Sequence, residues 1–408
     1  MTASPNPGDM AWLLTSSALV MIMTPGLGFF YAGLARKKNV VSTVFQCFAT
    51  VAVVSLVWVL WGYTLAFGPD RFGLVGGPEW LALKGVGPDP NPAYSGAVAH
   101  STFAVFQMMF AVITPALIAG AFAERVRFGP FLLFIALWST LVYSPIAHWV
   151  WGDGGWLRSM GALDFAGGTV VHISSGVSAL AAAYVLGRRI GYGNSSFEPS
   201  NPTFVMLGAA ILWFGWFGFN AGSALAADGL ASTAFLNTHV AASASALSWM
   251  LVSYYVRGKF SSIAAASGAV AGLVAVTPAA GFVRPISAAL IGLVAGALCF
   301  LAVNARQRMG VDDSLDVWGV HGVGGTWGSI ATGLFAESSV NPLGANGLLA
   351  GNPSLLIVQL SGVVATWAYA GVVTLLLVKA LDAVVGMRVT VQEEMVGLDI
   401  SQHAEYVT

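Results

Sequence analysis

Eleven times this chain runs through about 20 or more mostly apolar residues before a polar break. The runs cover roughly 9–34, 40–67, 101–123, 129–151, 165–187, 202–222, 229–255, 261–281, 285–306, 314–335 and 354–382. A helix of about 20 residues is about 30 Å long, the thickness of a bilayer's hydrocarbon core. In lipid, every backbone N–H and C=O must be satisfied within the protein, which leaves helices or closed barrels. These runs are too long for barrel strands, so each is read as a spanning helix. Composition excludes the soluble alternative. Only 9% of the 408 residues are charged, against roughly 25% in soluble domains. Seventeen basic and 18 acidic side chains cannot clothe a water-facing surface of this size. The expected fold class is therefore all-α, a polytopic membrane protein with eleven transmembrane helices. A net charge of −1 gives no sign of nucleic acid.

The domain division follows from the same runs. Residues 1–382 form the membrane domain, and 383–408 form a polar tail carrying Glu393, Glu394, Asp399 and Glu405. The connection from Gly68 to His100 holds five prolines and reads as a loop. An odd number of spans puts the two ends on opposite sides. Thirteen of the 17 basic residues then share one side, and Arg71, Lys84, Arg158 and Arg284 take the other. The positive-inside rule places the N-terminus outside and the tail in the cytoplasm of a cell (inner or plasma) membrane protein. Met1 to Asp9 carries no basic residue, which argues against a cleaved signal peptide. Cys47 and Cys299 lie in apolar runs and read as buried thiols.

An internal repeat is visible. Gly28-Phe-Phe-Tyr-Ala-Gly33 ends the first run, and Gly218-Phe-Asn-Ala-Gly222 ends the sixth. Val170-Val171-His172 lies in the fifth, and Gly319-Val320-His321 in the tenth. A five-helix offset places the halves in opposite orientations, an inverted 5+5 repeat with the eleventh helix outside it.

Ionisable groups inside a membrane are costly and rare, so each is a functional candidate. His172 and His321 each lie about seven residues into their helices, roughly 10 Å from the helix start. Matching depth at matching repeat positions favours a pair over two unrelated histidines bonded to backbone carbonyls. Two neighbouring imidazoles in an apolar pore would serve as a proton relay or hydrogen-bond track and make a poor cation site. The outer side gathers Phe106 and Phe110, four residues apart on one helix face, with Trp149, Trp151, Trp216, Phe219, Ser223 and Asp164. Trp149 is expected in an interfacial aromatic belt. The other aromatics would attract a small cation at about 0.5–2 kcal/mol each, and Ser223 could accept its hydrogen bond. Asp164, just before an apolar run, would either cap the helix or bind the cation, with capping favoured. No phosphate loop, zinc-type Cys/His spacing or intramembrane lysine is present, and Gly322-Val-Gly324 lacks the setting of a dinucleotide site. No enzyme activity, cofactor or metal is expected.

Several segments resemble the Amt/Mep/Rh ammonium transporter family, on its Amt branch. They include Met23-Thr-Pro-Gly26, Phe106-Gln-Met-Met-Phe110, Ala123-Glu-Arg125, Pro145-Ile-Ala-His-Trp-Val-Trp151, Gly161-Ala-Leu-Asp-Phe-Ala-Gly-Gly-Thr-Val-Val-His172, Gly215-Trp-Phe-Gly-Phe-Asn-Ala-Gly-Ser223 and Asp316-Val-Trp-Gly-Val-His-Gly322. The resemblance covers nearly the whole chain. It implies an eleven-helix homotrimer with a pore in each subunit, carrying ammonium or ammonia, with methylammonium as an analogue. By motif, Phe106, Phe110, Trp151 and Ser223 match the external recruitment site and Asp164 its supporting acid. Phe110 and Phe219 match the phenyl gate, and His172 and His321 the twin histidines. Gly397-Leu-Asp399 with Ser401 and His403 resembles the regulatory tail where PII-type signal proteins dock, although Ala404 stands where the family often has glycine. The alternatives are an ammonium sensor signalling through this tail and a channel for another small neutral molecule.

Overall fold

The structure, a computed structural model, describes residues 4–405. Its long helices are α1 (Pro7–Leu34), α2 (Val40–Val57), α3 (His100–Phe122), α4 (Phe128–Trp138), α5 (Ser174–Leu186), α6 (Pro202–Ala221), α7 (Gly229–Arg257), α8 (Ser262–Val276), α9 (Pro285–Met309), α10 (Val323–Phe335) and α11 (Pro353–Val385). Two short helices, α12 (Val391–Val396) and α13 (Leu398–His403), follow in the tail. Helix α2 continues through a π-helical turn, Trp58–Gly62, into Tyr63–Phe67, and α4 through Ser139–Tyr143 into Ser144–Trp151. Helices α5 and α10 begin as π-helical turns, Gly168–Ile173 and Trp318–Gly322.

Local sequence accounts for the starts. The side chains of Asn6, Asn201, Asp228, Ser261 and Asn352 accept backbone N–H bonds in the first turns of α1, α6, α7, α8 and α11. Pro7, Pro202 and Pro353 occupy first-turn positions that have no intrahelical N–H partner to lose. Among the described residues, eight helices, counted with their continuations, are long and apolar enough to cross a membrane. The other three expected segments are helical but fall short of that measure. Helix α8 has 15 residues, while α10, counted with its π turn, is diluted by His321 and six glycines, and α7 by Ser, Thr, Asn237 and His239.

Helices α1 and α6 pack closely because glycines face them. A Cβ on Gly33 would lie 2.6 Å from the Val205 nitrogen, and one on Gly218 2.8 Å from the Ser16 carbonyl oxygen. Small residues at helix contacts let backbones approach in this way.

The Gly68–His100 connection has structure of its own. Asp70–Arg71 pairs with Val75–Gly76 and Pro90–Asn91 with Ser95–Ala99, both antiparallel. It is fastened to the end of the α4 continuation. His148 Nδ1 faces the Ala66 carbonyl oxygen at 3.0 Å and its Nε2 faces Asp70 Oδ1 at 2.9 Å. Trp149 Nε1 donates to the Leu74 carbonyl at 2.9 Å. Trp149 is therefore not a belt residue. It is 7% exposed, and its ring lies 4.7 Å from that of Tyr369. The folded loop supplies its polar partner, which no interface is needed to provide.

Glu124, Asp312, Arg36, Arg125 and Arg189 form a buried ion network at the opposite end. Arg189 reaches Glu124 at 3.2 Å and Asp312 at 2.8 Å, and Arg125 reaches Asp312 at 3.2 Å. Burial pushes the Glu124 carboxyl up, but Arg189 and Arg36 more than offset this and hold it below the usual carboxylate range. The tail docks on the same end. Asp399 accepts from the Val41 and Ser42 nitrogens at 3.1 and 2.8 Å, at the start of α2. Ala404 closes α13 at φ 56°, a left-handed conformation that glycine adopts without strain.

Candidate functional site

Two helices whose starts are irregular bring the histidines together. Asp164 precedes the π turn that opens α5. Its carboxylate accepts from the backbone nitrogens of Gly167, Gly168, Thr169 and Val170 at 2.8, 2.6, 2.8 and 3.3 Å, and from the Thr169 hydroxyl. Gly167 stands at φ 119°, which lets the chain fold back over the carboxylate. Both oxygens are thus engaged by the helix start.

The π turns carry the histidines. The His172 nitrogen donates to the Gly167 carbonyl, five residues back. His321 lies in the corresponding turn of α10. The two helices cross at glycines in a reciprocal way. A Cβ on Gly176, four residues after His172, would collide with the Gly322 backbone nitrogen. One on Gly325, four residues after His321, would lie 2.9 Å from His172 Cβ. With this approach the rings stack at 5.3 Å and 29°, and their Nδ1 atoms are 3.2 Å apart. Two neutral rings sharing one Nδ1 proton must differ in tautomer. One then offers a bare Nε2 acceptor and the other an Nε2–H donor. His172 Nε2 is buried with no partner among the described residues.

Aromatic rings continue this line toward the 68–100 connection. Phe219 lies 6.0 Å from His172 and 4.3 Å from Phe110, and Phe110 lies 5.9 Å from Trp151. Trp216, expected at the outer mouth, instead stacks on His172 at 5.4 Å, its Nε1 donating to Thr277 at 2.9 Å. It lies one helical turn before Phe219 and so nearer the middle of α6. The hollow beside the histidines is about 10 Å³ and is lined by Leu27, Ile113, Val171, Trp216, Phe219 and both histidines, among others. A space of that size holds about one water-sized molecule.

Above the Phe110–Phe219 pair the column opens into a chamber of about 220 Å³. Phe110, Trp151, Asp164 and Ser223 line it, as do Phe103, Gln107, Tyr94 and Arg158. Ser223 donates to the Phe219 carbonyl at 2.9 Å, so its oxygen lone pairs remain open to a donor. Trp151 is oriented by its Nε1 bond to the Asp164 carbonyl at 2.8 Å. Phe106 is the exception. It is fully buried behind the chamber wall, 5.0 Å from the Phe110 ring. Sequence reasoning missed Gln107, Tyr94, Phe103 and Arg158. Arg158 entered it only as an outer-side charge, although it falls midway between Trp151 and Asp164.

A mostly helical architecture of long apolar helices, enclosing a histidine-bearing apolar column next to an aromatic chamber, defines a multi-pass membrane protein. The profile of the Ammonium Transporter Family matches residues 11–408. The chain is 52% identical to the ammonium transporter of Bacillus subtilis (strain 168) and 50% to ammonium transporter Amt1 of Archaeoglobus fulgidus, covering 98% of each chain in both pairs. It superposes on the crystal structure of Candida albicans Mep2 with a TM-score of 0.91 at 38% identity, covering 99% of this chain and 90% of that one. A structure described as a sensor Amt protein matches with a TM-score of 0.89 at 30% identity, over 97% and 98% of the two chains. The chain belongs to the ammonium transporter family, a family of transporters and not of enzymes.

Proposed function

We propose that this chain carries ammonium across a cell membrane by recruiting the cation, deprotonating it and conducting ammonia. The observation that carries the reading is the His172–His321 pair, in a hollow with room for about one small molecule, directly beneath the Phe110–Phe219 pair. A bare cation in such a hollow would lose its hydration for tens of kcal/mol, whereas neutral ammonia would not. In the chamber above, Phe110 and Trp151 offer aromatic faces and Ser223 offers lone pairs to a hydrogen-bonding cation. Potassium has no hydrogen to give. Asp164 supports this site by holding the start of α5, and Phe106 braces Phe110 from behind. Phe219 closes the gate with Phe110.

The same reading has eleven spanning helices, as an inverted 5+5 repeat with α11 outside it. The reciprocal glycine contacts of α5 and α10 support the repeat. Residues 1–382 form the membrane domain, its N-terminus outside, and 383–408 a cytoplasmic tail. A homotrimer, and a PII-type partner at the cytoplasmic face, rest on the family resemblance. A sensor is the second reading, favoured by the likeness to the sensor Amt structure.

The test is methylammonium uptake, or ammonium-elicited current, in liposomes holding the purified chain. Flux above empty liposomes is expected. Trp151→Ala or Ser223→Ala should raise half-saturation about tenfold, since each removes one aromatic face or one hydrogen-bond acceptor from the cation. Unchanged half-saturation in both variants would remove the cation cage. Ammonium binding without flux would favour the sensor.

A further inference from the structure

The geometry points to Arg158 as the residue that limits how tightly the outer chamber holds a cation, by placing a permanent positive charge in the chamber that recruits one. The inference rests on the ammonium reading and deepens it.

Arg158 lines the chamber together with Trp151, Phe110 and Ser223. Its guanidinium is held there by carbonyls. Nη1 donates to the Trp151 carbonyl at 2.8 Å and Nη2 to the Ala93 carbonyl at 3.4 Å. Neither partner carries charge. The nearest acid, Asp153, is 3.9 Å away, and the Arg158 and Asp153 side chains are 40% and 65% exposed, so the pair is loose and solvated and the Arg158 charge is open to screening by salt. Asp164 also lines the chamber, but its carboxylate is engaged by four backbone N–H groups and a hydroxyl. The guanidinium is therefore only partly balanced, and a cation against Trp151 shares a small, half-apolar space with it. Arginine stays charged at any working pH, so the repulsion is constant. A weaker outer site releases its ion more readily toward the gate, and it does so for every cation alike. Arg158 thereby lowers affinity for every cation alike, while the hydrogen-bonding cage supplies the attraction and the preference for ammonium.

The experiment compares the full chain with Arg158→Gln and Arg158→Lys in liposomes, reading ammonium half-saturation and its inhibition by potassium. Measurements run at ionic strengths of about 0.01 M and about 1 M, where the screening length falls from about 30 Å to about 3 Å. At low salt, Arg158→Gln is expected to lower half-saturation about three- to tenfold. Its potassium inhibition constant should fall by the same factor, leaving the ratio unchanged. At high salt the difference should vanish. Arg158→Lys, which keeps the charge, should follow the parent. Unchanged or raised half-saturation in Arg158→Gln would overturn the inference. So would a shift that persists at high salt or that Arg158→Lys shares, since Arg158 would then merely brace the Trp151 carbonyl. A parent without flux would instead defeat the transport reading, and the charge effect would be read from equilibrium ammonium binding to the same three proteins.

Discussion

In the proposed pore, His172 and His321 as two neutral rings would offer a passing molecule one acceptor and one donor without a net charge. An acidic side chain at either position would replace that with a negative charge and two acceptor oxygens, which lowers the cost of holding an unhydrated ion. His172→Asp or His321→Glu is therefore expected to admit potassium, where the parent is expected to pass only ammonium-dependent current. Replacing both histidines with apolar residues should cut ammonium transport by about tenfold or more, the scale of a single buried hydrogen bond. Conductance for each ion per folded protein distinguishes this from a structural role. Lower yield with an unaltered selectivity ratio in the acidic variants would sink the pore assignment. At this scale the sequence was legible where chemistry was scarce. Two buried histidines in matching contexts stand out against apolar neighbours. Tryptophans do not, because Trp149, Trp151 and Trp216 are equally at home in a core, a belt or a chamber wall.

The elements that place these side chains are not regular helices. Each histidine lies in a π-helical turn, and helices α5 and α10 touch backbone to backbone through Gly176, Gly322 and Gly325. A methyl group on Gly176 must push the helices apart, because what it meets is backbone and cannot rotate away. Gly176→Ala is expected to destabilise the protein by about 1–3 kcal/mol or more, and to cut flux per folded molecule by about tenfold as the ring pair separates. Gly129 provides the control, since a Cβ there meets nothing within 4 Å. Thermal unfolding in detergent and liposome flux are the measurements. A Gly176→Ala protein that matched Gly129→Ala in both would mean that the crossing does not set the ring spacing. Neither the π turns nor the crossing shows in hydrophobic periodicity, which reads where helices are but not where they wind loosely.

For the whole molecule, the distribution of basic residues makes a topological forecast. Cys47 and Cys299 are fully buried, so the parent chain offers an impermeant thiol reagent no background target. Gly87→Cys, in the 68–100 connection, should label from outside intact cells. Ala383→Cys, beyond Lys379, should label only after the cells are opened. The reverse pattern would overturn the assignment of thirteen basic residues to the cytoplasmic side.

Amino-acid order alone determined the class of fold, the places of the helices and the identity of the column's polar residues. Runs of apolar side chains have one stable outcome in a bilayer, and rare ionisable groups within them are costly to bury without purpose. Tertiary structure decided the rest: Trp149 under the 68–100 connection, Trp216 against His172, Phe106 behind the chamber wall and Arg158 along its lining. It also joined Gly176 to Gly322, far apart in the chain. These outcomes depend on how each helix is rotated and which distant neighbour meets its face, and a pattern along one helix carries no information about the surface on the other side of the contact.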